Sequence, residues 1–170
     1  MSRAPDTLAT ERLHLVRPSS SDFEDLAAMH LDPRMMRTLG GLRERDQSRG
    51  DLDRMMQHWD EHGFGLYFLR DPEDARFLGR AGLKHVHVND ADEVEIGWSV
   101  IADEWGRGLA TEAAQRLVEL AFHELALPEI VSFTLLHNVA SRRVMDKLGM
   151  HYERDGEYAS LPHVFYRLRK

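Results

Sequence analysis

The sequence predicts an α+β fold with a mixed β-sheet, on three observations. Alternating apolar segments crowd the middle of the chain, while amphipathic helical segments cluster early and late. Two of the late helical segments each stand between strand segments, which implies two β–helix–β crossovers. The chain has 170 residues, most simply one domain over residues 1–170 with a single sizeable core.

Residues 11–17 read as a first strand, with Leu13 and Leu15 alternating against His14 and Val16. Ser19 to Ser21 then cap a helix from about Asp22 to His30, with Phe23, Leu26, Ala27 and His30 on one face. Asp32-Pro33 breaks it, and the polar stretch Arg37 to Arg49, with Gly40-Gly41, reads as a loop. Asp51 to His62 is helical, with Leu52, Met55, Met56 and Trp59 on one side and Gly63 as its stop. Strands follow at 65–69 and 76–87, separated by the turn Asp71-Pro72-Glu73-Asp74. Asn89-Asp90 turns the chain into the strand Val94 to Ile101. A helix over about 107–124, a strand at 130–136, a helix at 138–148 and a strand at 150–154 come next. Residues 155–162 read as a loop and 163–169 as a last strand.

Composition excludes several functions. There are no cysteines, so disulfides, thiolate catalysis and cysteine-bound metal are excluded, and a reducing, cytoplasmic setting fits. The net charge of −7 argues against nucleic-acid partners and mildly favours a cationic acceptor. No apolar run approaches a membrane span, and the first residues lack a charged-then-apolar signal pattern.

The most telling stretch is Glu104-Trp105-Gly106-Arg107-Gly108-Leu109-Ala110-Thr111-Glu112, between the strand ending at Ile101 and the 107–124 helix. A tight glycine turn at a helix start makes an anion site, because free N–H groups converge there and the helix dipole adds positive potential. Gly106 and Gly108 let the backbone approach a phosphate or pyrophosphate without a Cβ in the way. The turn is no P-loop, for it lacks the Gly-Lys-Ser/Thr ending, and no dinucleotide fingerprint, for its third glycine is absent. About thirty residues on lies His137-Asn138-Val139-Ala140-Ser141-Arg142-Arg143-Val144-Met145-Asp146-Lys147-Leu148-Gly149. Asn138 is its N-cap, Ala140, Val144 and Leu148 share one face, and Gly149 closes it.

Together these two segments resemble the GNAT acetyltransferase superfamily. Its acetyl-CoA signature Gln/Arg-x-x-Gly-x-Gly/Ala is met here by Trp105-Gly106-Arg107-Gly108-Leu109-Ala110, with Trp105 replacing the usual Gln or Arg. The wording around Trp105, with Asn-x-x-Ser and Lys-Leu-Gly downstream, resembles the RimJ/RimL-like branch, which acetylates protein N-termini. The opening Thr10-Glu11-Arg12-Leu13 and the closing His163-Val164-Phe165-Tyr166-Arg167-Leu168 are similar to it too. The resemblance implies a twisted sheet of about seven strands with splayed central strands, flanked by about four helices, with acetyl-CoA entering the split. It also implies transfer of acetyl to a primary amine, either a protein N-terminus or a small molecule, by direct attack on the thioester. No metal is needed, and a homodimer agrees with it, since dimers are common in that branch.

Acetyl transfer needs the cofactor held, the carbonyl polarised, the amine deprotonated and the thiolate leaving group stabilised. The N–H groups of Arg107, Gly108, Leu109 and Ala110, with the Thr111 hydroxyl, are the candidates for the pyrophosphate. The side chains of Arg107, Arg142 and Arg143 are candidates for charged contacts. By resemblance, the backbone of Trp98, Ser99 and Val100 pairs with the pantetheine arm, an N–H near Val100 polarises the carbonyl, and Asn138 contacts the arm. Glu95 is the candidate base: alternation puts Glu93, Glu95 and Gly97 on one strand face, and partial burial would raise its pKa. His85 and His87 alternate likewise and are weaker candidates for base, substrate contact or metal. Many family members carry a tyrosine acid seven residues after the Asn138 position, where this chain has Met145. Ser141, one turn earlier, is the nearest hydroxyl and the candidate acid. The missing tyrosine also leaves open a non-catalytic acyl-CoA-binding or sensor domain.

Overall fold

The computed structural model describes residues 3–170, so residues 1 and 2 of the expected domain lie outside the described residues. One eight-stranded sheet runs through the molecule. Its strands are β1 (Thr7–Ala9), β2 (His14–Val16), β3 (Leu66–Arg70), β4 (Phe77–Val88), β5 (Ala91–Val100), β6 (Glu129–Leu135), β7 (His151–Tyr158) and β8 (Leu161–Arg169). They lie in the order β1-β2-β3-β4-β5-β6-β8-β7. Five helices flank them: α1 (Phe23–Leu31), α2 (Pro33–Met36), α3 (Arg45–His62), α4 (Leu109–Glu119) and α5 (Val139–Lys147). Every neighbouring pair is antiparallel except β5 and β6, so the sheet is mixed as expected.

Both expected crossovers exist. β5–α4–β6 joins the parallel neighbours, and β6–α5–β7 returns beyond β8, which inserts between β6 and β7. α4 lies on one face, where the small residues Ala113 and Ala114 let it approach the sheet and Leu117 packs with Leu83 and Ile96. On the other face, α1, α2 and α3 bury Leu26, Met36 and Leu52 against Phe68 and Phe77. Trp59 at the end of α3 is fully buried, and its Nε1 donates to the carbonyl of Leu66 at 2.8 Å, which docks the helix on β3.

Three expectations are corrected. α3 begins six residues before Asp51, inside the stretch read as a loop, where the Glu44 N–H donates to the Gln47 side chain at 2.8 Å. Residues 155–162 form a tight hairpin instead of a loop, since β7 runs to Tyr158 and β8 starts at Leu161. The strand expected over 11–17 is β2, His14–Val16, and an unexpected strand β1, Thr7–Ala9, precedes it, which raises the count to eight. α4 starts at Leu109 and continues as one π-helical turn, Leu120–Glu124, so its end agrees with the expected boundary.

Candidate active site

The centre of the site is a parting of strands. β5 and β6 share a single ladder pair, Glu95 with Val131, and no pairing is formed beyond it towards Val100 and Leu135. The N–H of Ile101 bonds the Leu78 carbonyl at 2.9 Å, which puts the odd-numbered residues of β5 on the β4 side. The polar backbone groups of Ile96, Trp98 and Val100 therefore point into the split. Trp98 and Val100 have no β6 partner there, while the Val100 carbonyl accepts from Trp105 Nε1 at 2.7 Å. Unpaired N–H and C=O groups on a strand edge are a template for an added extended chain. Such an edge is what amide groups of a pantetheine arm can pair with.

The glycine turn stands at the open end of this split. Gly106 and Gly108 both have φ of +78°, a left-handed conformation that side chains resist. Gly108 is the N-cap of α4, and the first intrahelical bond runs from the Glu112 N–H to its carbonyl at 3.1 Å. The N–H groups of Leu109, Ala110 and Thr111 are thereby left for an anion. A Cβ on Gly106 would meet nothing within 4 Å, so solvent-side space is open where a phosphate would approach. A cavity of about 370 Å³ adjoins the turn, lined in part by Arg12, Gly108, Thr111 and Lys147.

Arg12 was not recognised from the sequence as a site residue. Its Nη1 donates to the Arg107 carbonyl at 2.7 Å, and its Nε donates to Glu112 Oε2 at 2.7 Å. Burial pushes the Glu112 carboxyl up, but the Thr10 hydroxyl at 2.6 Å, the Arg12 N–H and the Arg12 guanidinium together hold it below its usual range. The clamp ties the β1–β2 turn to the glycine turn and brings Arg12 and Lys147 to the cavity, whose lining also holds Glu11 and Glu112. Only the resemblance of the opening segment hinted at it, because the contact spans about a hundred residues of chain. Lys147 was missed for the same reason.

The other expected residues fall as follows. The Arg107 side chain turns back onto Glu104, which also accepts from Arg76 Nη1 at 2.6 Å. Hydrogen bonds from Arg76 and Arg107 hold the Glu104 carboxyl low. Ser99 and Glu95 lie on the α1–α3 face of β5, while Trp98 and Val100 pack towards α4. Asn138 caps α5 by accepting from the Ser141 N–H at 3.3 Å, and its Nδ2 donates to Thr134 Oγ1 at 2.9 Å and to Ser141 Oγ at 3.2 Å. Ser141 Oγ makes no other hydrogen bond among the described residues, so its own proton is free to donate. Arg142 leans the other way, with Nε 3.4 Å from Tyr166 Oη and Nη1 3.4 Å from the Leu136 carbonyl. Arg143 is exposed. Met145 is buried in the core at the position of the family's tyrosine.

Glu95 stands at the apex of the split and is only 8% exposed. Lys84 Nζ lies 3.1 Å from Oε2 as an ion pair, but without hydrogen-bond alignment, so Oε2 has no hydrogen-bond partner. Burial raises the Glu95 pKa, against the opposing charges of Lys84, Arg80 and His163. A carboxylate so placed is a candidate proton acceptor. The two histidines of β4 have separate partners. The His85 N–H donates to His58 Nε2 at 2.9 Å, and His87 pairs with Asp92 on the surface at 2.8 Å. No group of three or more His, Asp or Glu able to hold a metal occurs among the described residues. No helix among them is long and apolar enough to cross a membrane.

A split sheet with a free β5 edge, leading to a glycine turn at a helix start, defines the acetyltransferase class that the sequence resembles. The chain belongs to the GNAT acetyltransferase family, whose acetyltransferase domain matches residues 12–151. The probable N-acetyltransferase YjcK of Bacillus subtilis (strain 168) is 29% identical over 147 residues, covering 86% of this chain and 77% of that protein. The acetyltransferase of Agrobacterium tumefaciens str. C58 superposes with a TM-score of 0.86 at 26% identity, covering all of this chain and 98% of that one. RimL, a ribosomal L7/L12 α-N-protein acetyltransferase solved with coenzyme A, superposes with a TM-score of 0.79 over 95% of this chain and 96% of its own. At 15% identity that last likeness is one of fold.

Proposed function

We propose that residues 1–170 act as one acetyl-CoA-dependent N-acetyltransferase that moves acetyl to a primary amine by direct attack. The observation that carries this reading is the single Glu95–Val131 pair, which leaves the β5 edge free directly before the glycine turn. When bound, acetyl-CoA supplies a thioester whose carbonyl is open to attack. The N–H groups of Gly108, Leu109, Ala110 and Thr111 suit its pyrophosphate, with Arg12 and Lys147 adding charge. The backbone of Trp98 and Val100 suits its amides, and the Val100 N–H suits the carbonyl oxygen.

Glu95 takes the proton of the attacking amine, either directly or through one water, and Lys84 then balances the charge it sheds and regains between turnovers. Ser141 donates its proton to the departing sulfur, a role consistent with its free hydroxyl proton, and regains one from solvent, while Glu95 releases the amine's proton to solvent. The carbon–sulfur bond breaks as the carbon–nitrogen bond forms, so the products are an amide and a thiol. RimL is a ribosomal L7/L12 α-N-protein acetyltransferase, which makes N-terminal peptides one arm of the test. The sensor reading raised by Met145 gains no support from the relatives, which are named as acetyltransferases.

The test is thiol release from acetyl-CoA against a small-amine panel and an N-terminal peptide library. Release with one acceptor class, abolished by blocking the amine, is the expected result. Saturable acetyl-CoA binding with no release on any amine would overturn transfer and restore the sensor reading.

A further inference from the structure

Arg80 of β4 faces the same side of the sheet as Glu95. The ladder sets Arg80 opposite Ser99, Gly82 opposite Gly97 and Lys84 opposite Glu95, and alternation places all six on one face. Arg80 and the Lys84–Glu95 pair thus stand at the two ends of a stretch of about 13 Å. Its middle carries no side chain. A Cβ on Gly97 would meet only Glu95 Oε1, at 3.6 Å, so the space is open above Gly97, whereas above Gly82 it is closed by the backbone of Gly65 and Leu66.

The charges around this space are already matched, with one exception. Lys84 stands against Glu95. Arg43 closes on Asp51 and also donates to the Leu39 carbonyl at 3.2 Å. Arg80 makes no hydrogen bond and no salt bridge among the described residues. Burial, with Arg43 beside it, lowers its pKa to about 10, while Asp51 and Glu95 act against that, so it stays cationic at neutral pH. Two further polar atoms have no partner: Glu95 Oε2, and Nε2 of the fully buried His30, whose Nδ1 is used by Ser48 Oγ at 2.9 Å. Burial and the charge of Arg80 lower the His30 pKa to about 4, which keeps its ring neutral. A guanidinium with no protein acceptor, beside an open space, is placed to pair with an anion that a ligand brings.

We propose that the acceptor is a small amine carrying its own carboxylate, as a free amino acid does, with the carboxylate on Arg80 and the amine towards Glu95. This rests on the acetyl-transfer reading above. A guanidinium grips a carboxylate through two parallel bonds, which orients as well as binds. A peptide N-terminus lacks that carboxylate next to its amine, so the proposal separates the two acceptor kinds.

The test compares free amino acids with their carboxamides, and with peptides that begin with Asp or Glu. Thiol release should favour the free acids over the amides by about tenfold or more in kcat/KM. Arg80→Met should lower kcat/KM for the acids by on the order of 10²-fold, mainly through KM, leaving the amides and acetyl-CoA affinity nearly unchanged. Arg80→Lys should lie between, and melting curves check that both variants fold. Equal use of acids and amides, equal loss on both in Arg80→Met, or preference for the acidic peptides would each overturn the proposal. Calorimetry on the CoA-saturated protein separates it from the transfer reading. A carboxylate preference in binding without any thiol release sinks transfer alone, and no preference in binding sinks this proposal alone.

Discussion

Arg167 of β8 reaches across β6 and holds Glu93 of β5 through two hydrogen bonds, at 2.7 and 3.1 Å. The same guanidinium bonds Glu129 of β6 at 2.7 Å and Glu153 of β7 at 2.8 Å, so one side chain ties four strands together. Its hydrogen bonds to the Glu93 and Glu153 carboxylates raise its pKa above that of a free arginine. Glu93 is two residues before Glu95, so this staple lies at the closed end of the split.

Arg167→Met should therefore be severely destabilising. Its side chain is only 10% exposed, and its loss leaves three carboxylates facing one another. Removing one partner of such a buried network costs about 3 kcal/mol. Urea unfolding measures it, and a loss under about 1 kcal/mol would mean that water already screens these charges.

Glu95→Gln should slow turnover by on the order of 10²-fold with acetyl-CoA affinity nearly intact. In the parent, the rate should fall on the acid side with a midpoint above the ordinary glutamate value, because burial raises the Glu95 pKa. Stability should move oppositely. A raised folded pKa means that the stabilising effect of protonation is complete below the unfolded value and is lost as pH rises through the folded one. Glu95→Gln should thus melt higher than the parent at pH 7, and the gap should close towards pH 4. A rate within about twofold of the parent at every pH would assign the proton to another group.

Gly108→Val and Gly149→Val make a matched pair. Both glycines are left-handed, with φ of +78° and +75°, so each substitution should cost about 1–2 kcal/mol of backbone strain. Neither site is crowded, since the nearest atom to a Cβ on Gly108 is Arg12 Nη2 at 3.6 Å and Gly149 has nothing within 4 Å. Only Gly108→Val should weaken acetyl-CoA, by several-fold or more, because Gly108 leads into the N–H groups at the start of α4, whereas Gly149 ends α5 and does not line the cavity. Equal calorimetric affinities in the two variants would remove the pyrophosphate assignment.

Ser141→Ala should leave stability almost unchanged, since Asn138 supplies the cap and keeps Thr134 as a partner. Loss of a donor to the leaving thiolate would cost about 2–4 kcal/mol of transition-state stabilisation. A large fall in kcat with a small shift in melting temperature is the expected pattern. Full kcat in Ser141→Ala would make Ser141 a helix-start residue only. Met145→Tyr is a poorer rescue than the sequence suggests, because Met145 is 1% exposed and a ring there overfills the core.

Two turns show what the sequence could reveal. Asn89-Asp90 and Ala159-Ser160 both join antiparallel strands with two residues at positive φ, 53° and 60° in one, 49° and 61° in the other. Asn and Asp tolerate that region and announce the first turn, whereas Ala and Ser do not, so the second was read as a loop. The start of α3 was hidden similarly, since Arg45 to Arg49 has only Ser48 buried and shows no apolar period. Within the site, the glycine turn was legible because left-handed φ favours glycine. The parting of β5 from β6 was legible only by resemblance, for no residue of either strand codes for where a ladder stops. The positions of Arg12, Lys147 and Arg80 depend on contacts between distant segments, and local pattern carries no trace of them.

The single rung between β5 and β6 has a mechanical consequence. In the backbone ladder β1 to β5 and β6 to β8 meet only near Glu95, so beyond that rung the two halves of the sheet are held together by the apolar core that runs under both and by the Arg167 side chain. A chain threaded between them adds rungs to both sides, so substrate loading should stiffen the whole molecule and make its unfolding more cooperative.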